Sequence, residues 1–324
     1  RTRKLRGSLG DRDYRSNSIH DWDTVFLAGG PIPGLGLSSS CRPWPDSWTC
    51  TKEVWLRGWR QALEVPLVLD ELFATASDDA DIRSKSVSIE SLEALVENME
   101  PAVSALKALE PSSQIKIIAE IKRFSPSVGH MAEIPDAGLL AVTYEQSGAH
   151  AISVLTERSG FGGSLDDLRH ASDAVTIPTL RKDFISCEYQ ILEARAHGAS
   201  FVLLILSWLR EPDFLRLSKF AADLGLDVLV ETHTADEIHM ANAAGSKLVG
   251  INTRDLQTFK TDLRLFETMS HLLPDQTIKV AESSVKKPQD VTRYWNAGAN
   301  VVLVGQALVT GDPSLLIPEF INAT

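Results

Sequence analysis

The sequence has few cysteines and no grouping of residues that is typical of a metal site. Its three cysteines, Cys41, Cys50 and Cys187, are too few for a disulfide framework, and their spacing does not match paired metal ligands. The eight histidines are scattered, and His233, near the end of a predicted strand, has no second ligand nearby. The sequence therefore predicts neither structural disulfides nor a bound metal ion.

Long apolar runs are also absent. No run approaches the roughly 18 to 20 apolar residues of a membrane-spanning helix, and no charged-then-apolar leader is visible. We therefore expect a cytoplasmic location and no membrane partner. The formal net charge of −11 repels the phosphate backbone of nucleic acids, so nucleic acid is not an expected partner either.

The first 63 residues differ in composition from the rest. They contain ten basic and six acidic residues, a net charge of +4. The rest of the chain carries −15, and the two sum to the total of −11. They also hold five of the seven tryptophans and an aperiodic Gly-, Pro- and Ser-rich segment, residues 29–40. We predict an irregular, poorly ordered extension over residues 1–63 and one catalytic domain over residues 64–324. The alternative is a docking or regulatory tail that uses the aromatic residues.

Two amphipathic helices are predicted ahead of the first strand. Ser88 stands where a helix N-cap is expected, directly before the second of them. We expect both helices to cover one end of the sheet that follows. Their apolar stripes consist of Val68, Leu69, Leu72 and Phe73 in the first helix, and of Leu92, Leu95 and Val96 in the second.

Eight short apolar runs then alternate with amphipathic segments of about ten residues, the pattern of eight strand-helix units. Glycines at helix ends, such as Gly148 and Gly198, supply the left-handed residue that returns the chain to the sheet. This is the size of an α/β fold of the (β/α)8 TIM barrel type. A doubly wound sheet is the rival, but the P-loop and the G-x-G-x-x-G turn are absent after the first strand. The runs are residues 115–121, 151–155, 177–180, 201–206, 227–230, 247–251, 277–281 and 300–304.

Polar residues stand at the carboxyl ends of six of these runs, where barrels of this type place their chemistry. The second and fourth runs end apolar, at Leu155 and Ile205, so the expected substrate has a hydrophobic part and charged ends. Ordinary ion pairs and solvated surface charges are the alternative. If the barrel closes, the charges meet, and a partly desolvated lysine can act as a general acid near neutral pH. The residues are Glu120, Lys122 and Ser125 at the first end, Lys182 at the third, Glu231 at the fifth, Asn252 and Arg254 at the sixth, Glu282 and Ser283 at the seventh, and Gly305 and Gln306 at the eighth.

The last two loops favour phosphate binding. Ser283-Ser284 and Gly305-Gln306 are small residues that we expect before helix starts, where unpaired backbone N–H groups can hold a phosphate. Barrels often bind phosphate after their seventh and eighth strands. Ordinary helix capping by serine is the alternative for each loop.

The motifs AEIKRFSPSVG, SVLTERSGFGGS, LRKDF, LVETH, GINTRDLQTF, VAESS and VLVGQALV, in this order, resemble the indole-3-glycerol phosphate synthase family. The resemblance covers about residues 66–320. It implies closure of the indole ring of 1-(2-carboxyphenylamino)-1-deoxyribulose 5-phosphate with loss of CO₂ and water, in tryptophan biosynthesis. It also implies that no metal and no organic cofactor is used. Other enzymes of the same pathway are the candidate protein partners.

The resemblance assigns expected roles to individual residues. Lys182 is expected to be the general acid that protonates the substrate carbonyl, and Glu231 to serve the dehydration. Glu120 and Lys122 match a first-strand pair that exchanges protons and meets the substrate carboxylate, while the division of roles between them stays open. The remaining expected residues are Asn252 and Glu282 in catalysis, and Ser125, Phe184, Arg254, Ser283, Ser284, Gly305 and Gln306 in substrate binding.

The chain departs from the family pattern in two loops. Ser284 replaces the usual glycine, which costs on the order of 1 kcal/mol if that position needs positive φ. Val128 stands where a lysine is frequent.

Two rival functions remain. One is phosphoribosylanthranilate isomerase, for which a cysteine at the first strand is expected instead of Glu120 and Lys122. The other is a non-catalytic barrel that binds partners through its tryptophan-rich tail.

Overall fold

The computed structural model describes residues 69–255 and 260–324. Within them, eight parallel strands close into a barrel in which each strand pairs with its neighbours in chain order, and the last pairs with the first. The predicted (β/α)8 fold is therefore confirmed. The barrel strands are β1 (Lys116–Ile121), β4 (Ala151–Leu155), β5 (Thr179–Lys182), β6 (Phe201–Ile205), β7 (Asp227–Thr232), β8 (Leu248–Asn252), β9 (Ile278–Glu282) and β10 (Val301–Val304), and a hairpin of β2 (Phe124–Ser125) and β3 (Gly129–His130) follows β1.

Helices surround the barrel and precede it. The glycines that follow helix ends have positive φ, from 71° at Gly245 to 101° at Gly148, as expected for residues that end a helix. The helices are α1 (Leu69–Ser84), α2 (Ile89–Val96), α3 (Ala105–Ala108), α4 (Ala137–Gln146), α5 (Leu165–Ala174), α6 (Glu188–Ala196), α7 (Glu211–Asp223), α8 (Ala235–Ala243), α9 (Arg264–Met269), α10 (Pro288–Asn296), α11 (Gln306–Thr310) and α12 (Pro313–Ile321).

The barrel strands are buried on both faces, which explains why they read as continuous apolar runs rather than as alternating ones. The third predicted strand, residues 177–180, is wrong by two residues, because β5 runs from Thr179 to Lys182. Arg181 and Lys182 are polar and therefore hid the end of the strand. Arg181 is nevertheless 1% exposed, because its guanidinium is bound by buried partners on the outer side of the barrel.

The helices before β1 do not all cover the barrel. Leu72 and Phe73 of α1 belong to the same apolar cluster as side chains at the carboxyl end of the barrel, such as Ile205. α2 instead packs with Leu92 against the outer helix α6, capped by Ser88 as predicted. The prediction that Leu95 packs on the sheet is wrong, since its side chain is 56% exposed.

Two sequence predictions lie outside the described residues. The proposed extension, residues 1–63, and its boundary with the barrel domain both fall before Leu69, so they stay predictions. Among the helices that the structure describes, none combines the length and the apolar character that crossing a membrane requires.

Candidate active site

One cleft at the carboxyl ends of the barrel strands is lined by all thirteen residues that the sequence singled out. The cleft opens to solvent and has a cavity volume of about 130 Å³. Five of them, Glu120, Lys182, Glu231, Glu282 and Gly305, reach it by the same rule: each stands two positions after an apolar side chain of the barrel interior, as Lys182 follows Leu180. Because side chains alternate along a strand, the polar residue faces the same interior at its open end.

Lys182 lies at the centre of a group of carboxylates. Its Nζ is 3.3 Å from Glu231 Oε2 and 3.7 Å from Glu282 Oε2. Asn252 Nδ2 donates a hydrogen bond to the other Glu231 oxygen at 3.1 Å. Glu231 and Glu282 are both buried, so two carboxyl groups and one ammonium group share a site with little water.

The surroundings of these groups fix their charges. Burial alone lowers the pKa of Lys182, but Glu231, Glu282 and Glu120 outweigh it and raise the pKa above its ordinary value. Burial likewise raises the pKa of Glu231, but Lys182 and His233 outweigh it and lower the pKa to about 2. Burial and the neighbouring Glu231 raise the pKa of Glu282 well above its ordinary value. Burial and neighbouring charges thus favour the charged form of Lys182, the ionised form of Glu231 and the protonated form of Glu282.

Glycines give the site carboxylates their space. Lys122 Nζ lies 2.5 Å from Glu120 Oε2, and this carboxylate rests against Gly305, where a Cβ would stand 2.2 Å from Oε2. A Cβ at Gly250 would stand 2.0 Å from Glu282 Oε1. Any larger residue at either position would displace a carboxylate of the cleft.

The loop after β9 has an unusual backbone. Ser283 and Ser284 have φ of 70° and 68°, the left-handed conformation that favours glycine. Side-chain contacts support it: Ser283 Oγ donates to Asn252 Oδ1 at 2.9 Å, and Ser284 Oγ lies 3.1 Å from Thr253 Oγ1. The strain anticipated for Ser284 is therefore present, and it extends to Ser283. The expectation of a helix start here is wrong, because α10 begins only at Pro288, whereas α11 begins directly after Gly305.

Arg254 and the first loop form one side of the opening. Arg254 Nη1 lies 3.5 Å from Ser127 Oγ, which in turn lies 3.3 Å from Ser125 Oγ. The backbone N–H of Arg254 donates to Asn252 Oδ1 at 3.0 Å, which ties the residue to the loop after β9 through the same oxygen that Ser283 uses. A cation and several hydroxyl groups therefore face the cleft together.

The apolar part of the cleft includes two aromatic rings, Phe161 and Phe184. The rings of Phe161 and Phe184 have centroids 6.1 Å apart, and Phe73 of α1 packs edge-on against Phe184 at 5.3 Å and stacks on Trp208 at 4.0 Å. Phe184 was predicted from its motif, but Phe161 was not. Other cleft residues that the sequence did not single out are Leu69, Leu72, Ser127, Met131 and Lys286. Phe161 lies in a quoted motif, and the two leucines lie on the predicted stripe of α1, so these signals were present.

A buried ion network lies behind Lys182. The guanidinium of Arg181 donates to Asp183 at 2.8 Å and to Glu193 of α6 at 3.2 Å. Glu193 also accepts two hydrogen bonds from Arg83 at the end of α1, at 2.6 and 2.9 Å. Arg181 and Asp183, the two neighbours of Lys182 in the chain, bind each other, and Arg181 is also bound to Glu193 of the outer helix α6. The network holds the end of β5 and links it to α1.

These features define the class of protein: a (β/α)8-barrel enzyme whose cleft combines a charged lysine, two buried carboxyl groups with opposite pKa shifts and apolar side chains that include two phenylalanines. In residues 69–255 and 260–324, no group of three His, Cys, Asp or Glu side chains has an arrangement that could hold a metal ion.

Comparison with known proteins identifies the family. The model of the indole-3-glycerol phosphate synthase family matches residues 69–318. The chain is 49% identical over 253 residues to an indole-3-glycerol phosphate synthase of Leifsonia xyli, covering 78% of this chain and 97% of the relative. It is 46% identical over 258 residues to the one of Paenarthrobacter aurescens, covering 78% and 95%. The chain belongs to the indole-3-glycerol phosphate synthase family, carboxy-lyases of tryptophan biosynthesis.

Solved structures of lower similarity share the fold alone. A 3-hexulose-6-phosphate synthase from Salmonella typhimurium superposes with a TM-score of 0.53 at 14% identity, covering 64% of this chain and 98% of its own. An N-acetylmannosamine-6-phosphate 2-epimerase from Clostridium perfringens gives 0.52 at 13% identity, covering 66% and 94%.

Proposed function

We propose that the cleft closes the indole ring of 1-(2-carboxyphenylamino)-1-deoxyribulose 5-phosphate, with Lys182 as the general acid. The observation that carries the proposal is the position of the Lys182 ammonium between Glu231 and Glu282, inside the cleft that all the expected residues line. Its raised pKa keeps Lys182 protonated before the reaction, as a general acid must be. A proton delivered to the substrate carbonyl oxygen neutralises the negative charge that develops when the aromatic carbon attacks.

Glu231 and Glu282 divide their work by charge. Glu231 is ionised and held by Asn252, so it is ready to take the methylene proton that must leave during dehydration. Glu282 keeps its proton and therefore adds no second negative charge beside Glu231. Its neutral form faces Lys182 without neutralising it, which leaves one ionised carboxylate as the base.

Glu120 and Lys122 form the other half of the site. Their short ion pair places an ammonium group at the side of the cleft, where it can meet the substrate carboxylate before CO₂ is lost. Arg254 and Asn252 orient the substrate from the opposite strands, and Ser125 accompanies them in the first loop. The aromatic wall of Phe184 completes the pocket for the anthranilate ring.

The phosphate is assigned to the last two loops. The successive left-handed conformations of Ser283 and Ser284 can turn backbone N–H groups towards a phosphate. On the next loop, Gly305 and Gln306 form the start of α11, where further backbone N–H groups can bind it. All four residues line the cleft. Lys286, which also lines it, adds a positive charge beside them.

Replacement of Lys182 by alanine tests the proposal. We expect kcat for ring closure, followed by indole fluorescence with the purified substrate, to fall by about 10²-fold or more, as for other positioned proton donors. Lys279→Ala is the matched control, since Lys279 lies in a barrel strand at the end that faces away from the cleft. Ring closure at the parent rate in Lys182→Ala would refute the assignment.

A further inference from the structure

His233 lies behind Glu231, outside the set of side chains that line the cleft. Its ring is 12% exposed and stands between two carboxylates: Nε2 is 3.4 Å from Glu231 Oε1, and Nδ1 is 3.6 Å from Glu237 Oε2. Among the described residues, neither ring nitrogen has a hydrogen-bond partner. Buried polar groups are usually hydrogen-bonded, so a ring that meets two carboxylates only at ion-pair distances calls for an explanation.

Glu237 is held in place on the far side of the ring. It lies in the first turn of α8, where its Oε2 accepts a hydrogen bond from the His233 backbone N–H at 2.7 Å, and its own N–H donates to Thr234 Oγ1. On the near side, Glu231 contacts Lys182 at 3.3 Å. Lys182, Glu231, His233 and Glu237 therefore form a continuous line of titratable groups that leads from the cleft to the outer end of β7.

The proposed reaction, on which this inference rests, needs a proton from solution. The substrate carboxylate leaves as CO₂ and its electron pair restores the aromatic ring, while the carbonyl oxygen leaves as water. One hydrogen of that water comes from the substrate methylene group, through Glu231, and the other must be supplied once per turnover. Lys182 is the donor, and its side chain is only 16% exposed beside two carboxyl groups.

We propose that His233 is a positioning residue that acts through Glu231, passing this proton inward from Glu237 so that Lys182 is recharged. Glu237 takes a proton from solvent and passes it to Nδ1, while Nε2 gives one to Glu231, which hands it to the neutral amine of Lys182. Each transfer breaks one O–H or N–H bond and forms the next, so one proton enters and one is consumed. Burial lowers the pKa of His233 and Lys182 opposes its charge, but Glu237 and Glu231 outweigh both and raise the pKa, which suits an imidazole that exchanges protons near neutrality.

His233→Ala and His233→Asn test the relay. We expect kcat to fall by about 10²-fold or more, as for the loss of other positioned proton-transfer groups, and KM to stay unchanged because His233 does not line the cleft. Added imidazole should restore part of the kcat of His233→Ala, which leaves room for it. The kcat of both variants should also drop more in deuterated water than that of the parent enzyme.

Two controls separate a relay from a structural role. His239→Ala removes an exposed histidine of α8, the helix that carries Glu237, and should leave kcat unchanged. Glu237→Gln removes the outer carboxylate and leaves the His233 side chain in the protein. The kcat of this variant should fall, and the variant tests the relay even if the His233 variants do not fold. An unchanged kcat in Glu237→Gln overturns the relay.

Other outcomes are equally decisive. Unchanged kcat in folded His233 variants overturns the relay and leaves the proposed function standing, as does a loss of kcat with neither imidazole rescue nor a larger solvent isotope effect. A parent enzyme with no ring-closing activity overturns the proposed function itself.

Discussion

Replacing Gly305 by alanine should damage the site while leaving the fold nearly intact. The new Cβ would stand 2.2 Å from Glu120 Oε2 and 3.2 Å from Lys122 Nζ. Ordinary contacts between such atoms are about 3.5 Å, so the Glu120 carboxylate must move by roughly 1 Å. Since φ at Gly305 is −114°, alanine there would carry no left-handed strain.

The cost falls on activity because of which atom gives way. The displaced oxygen is the end of a flexible side chain that borders an open cleft, so we expect the free energy of unfolding to change by less than about 1 kcal/mol. A misplacement of 1 Å in a positioned group costs about 10²-fold in rate. We therefore expect kcat/KM for ring closure to fall about 100-fold in Gly305→Ala, with urea unfolding close to that of the parent.

The double variant with Glu120→Ala isolates the cause. Once the colliding carboxylate is gone, Gly305→Ala should lower kcat/KM by no more than two- or three-fold beyond Glu120→Ala alone, because the two changes act on the same atoms. A single Gly305→Ala variant that keeps the parent kcat/KM would refute the reasoning, since it would show that Glu120 has no defined position to lose.

Three further predictions concern strain, the cover helix and pH. Ser284→Gly should be more stable in urea than Ser284→Ala by about 1 kcal/mol, because both lose the hydroxyl group and only glycine relieves the left-handed strain; equal stability would contradict it. Phe73→Ala should lower the free energy of unfolding by about 3 to 5 kcal/mol, since the buried ring stacks on Trp208, and a loss below 1 kcal/mol would show that α1 does not need it. Burial lowers the pKa of His150 to about 4, and its Nδ1 accepts from the N–H of Ile117. In the unfolded chain the pKa of a histidine is near 6.5. The stability that the neutral, buried His150 contributes is therefore complete above pH 6.5 and is lost as the pH falls towards 4. His150→Asn keeps an acceptor without titrating, and its urea midpoint should decline less than that of the parent between pH 7 and pH 5.

The sequence predicted the cleft well because of how parallel strands present their ends. An apolar interior residue followed two places later by a polar one, as Leu180 is by Lys182, can be read without a structure, and barrel closure then brings such positions together. The same logic placed at the cleft the two loops that we propose for the phosphate, but it did not predict their backbone conformation. The left-handed conformation of Ser283 depends on its bonds to other loops, which the local sequence does not encode.

What the sequence could not show depends on contacts between distant segments. Arg181 looked like the polar end of a strand, yet it is buried because Glu193 and Asp183 surround it and Arg83 of α1 neutralises Glu193 in turn. Neither the burial nor the extension of β5 to Lys182 can be read before the path of α1 is known. Phe161 was missed for the same reason, since its neighbours in the cleft, Leu72 and Phe184, come from two other parts of the chain.

Protonation of Glu282, which its raised pKa favours, changes the electrostatic character of the cleft. The chain as a whole carries −11, which disfavours a substrate with a carboxylate and a phosphate. Asp183 is neutralised from behind by Arg181. With Glu282 neutral, the cleft has two remaining negative charges against four positive ones, a local balance of +2, whereas an ionised Glu282 would halve it. The positive groups are Lys122, Lys182, Arg254 and Lys286, and the negative ones are Glu120 and Glu231. Local charges act at short range in a partly dry cleft, whereas distant ones are screened within about 10 Å at 0.1 M salt. Burying Glu282 beside Glu231 therefore makes this cleft more attractive to the anionic substrate that we propose for it.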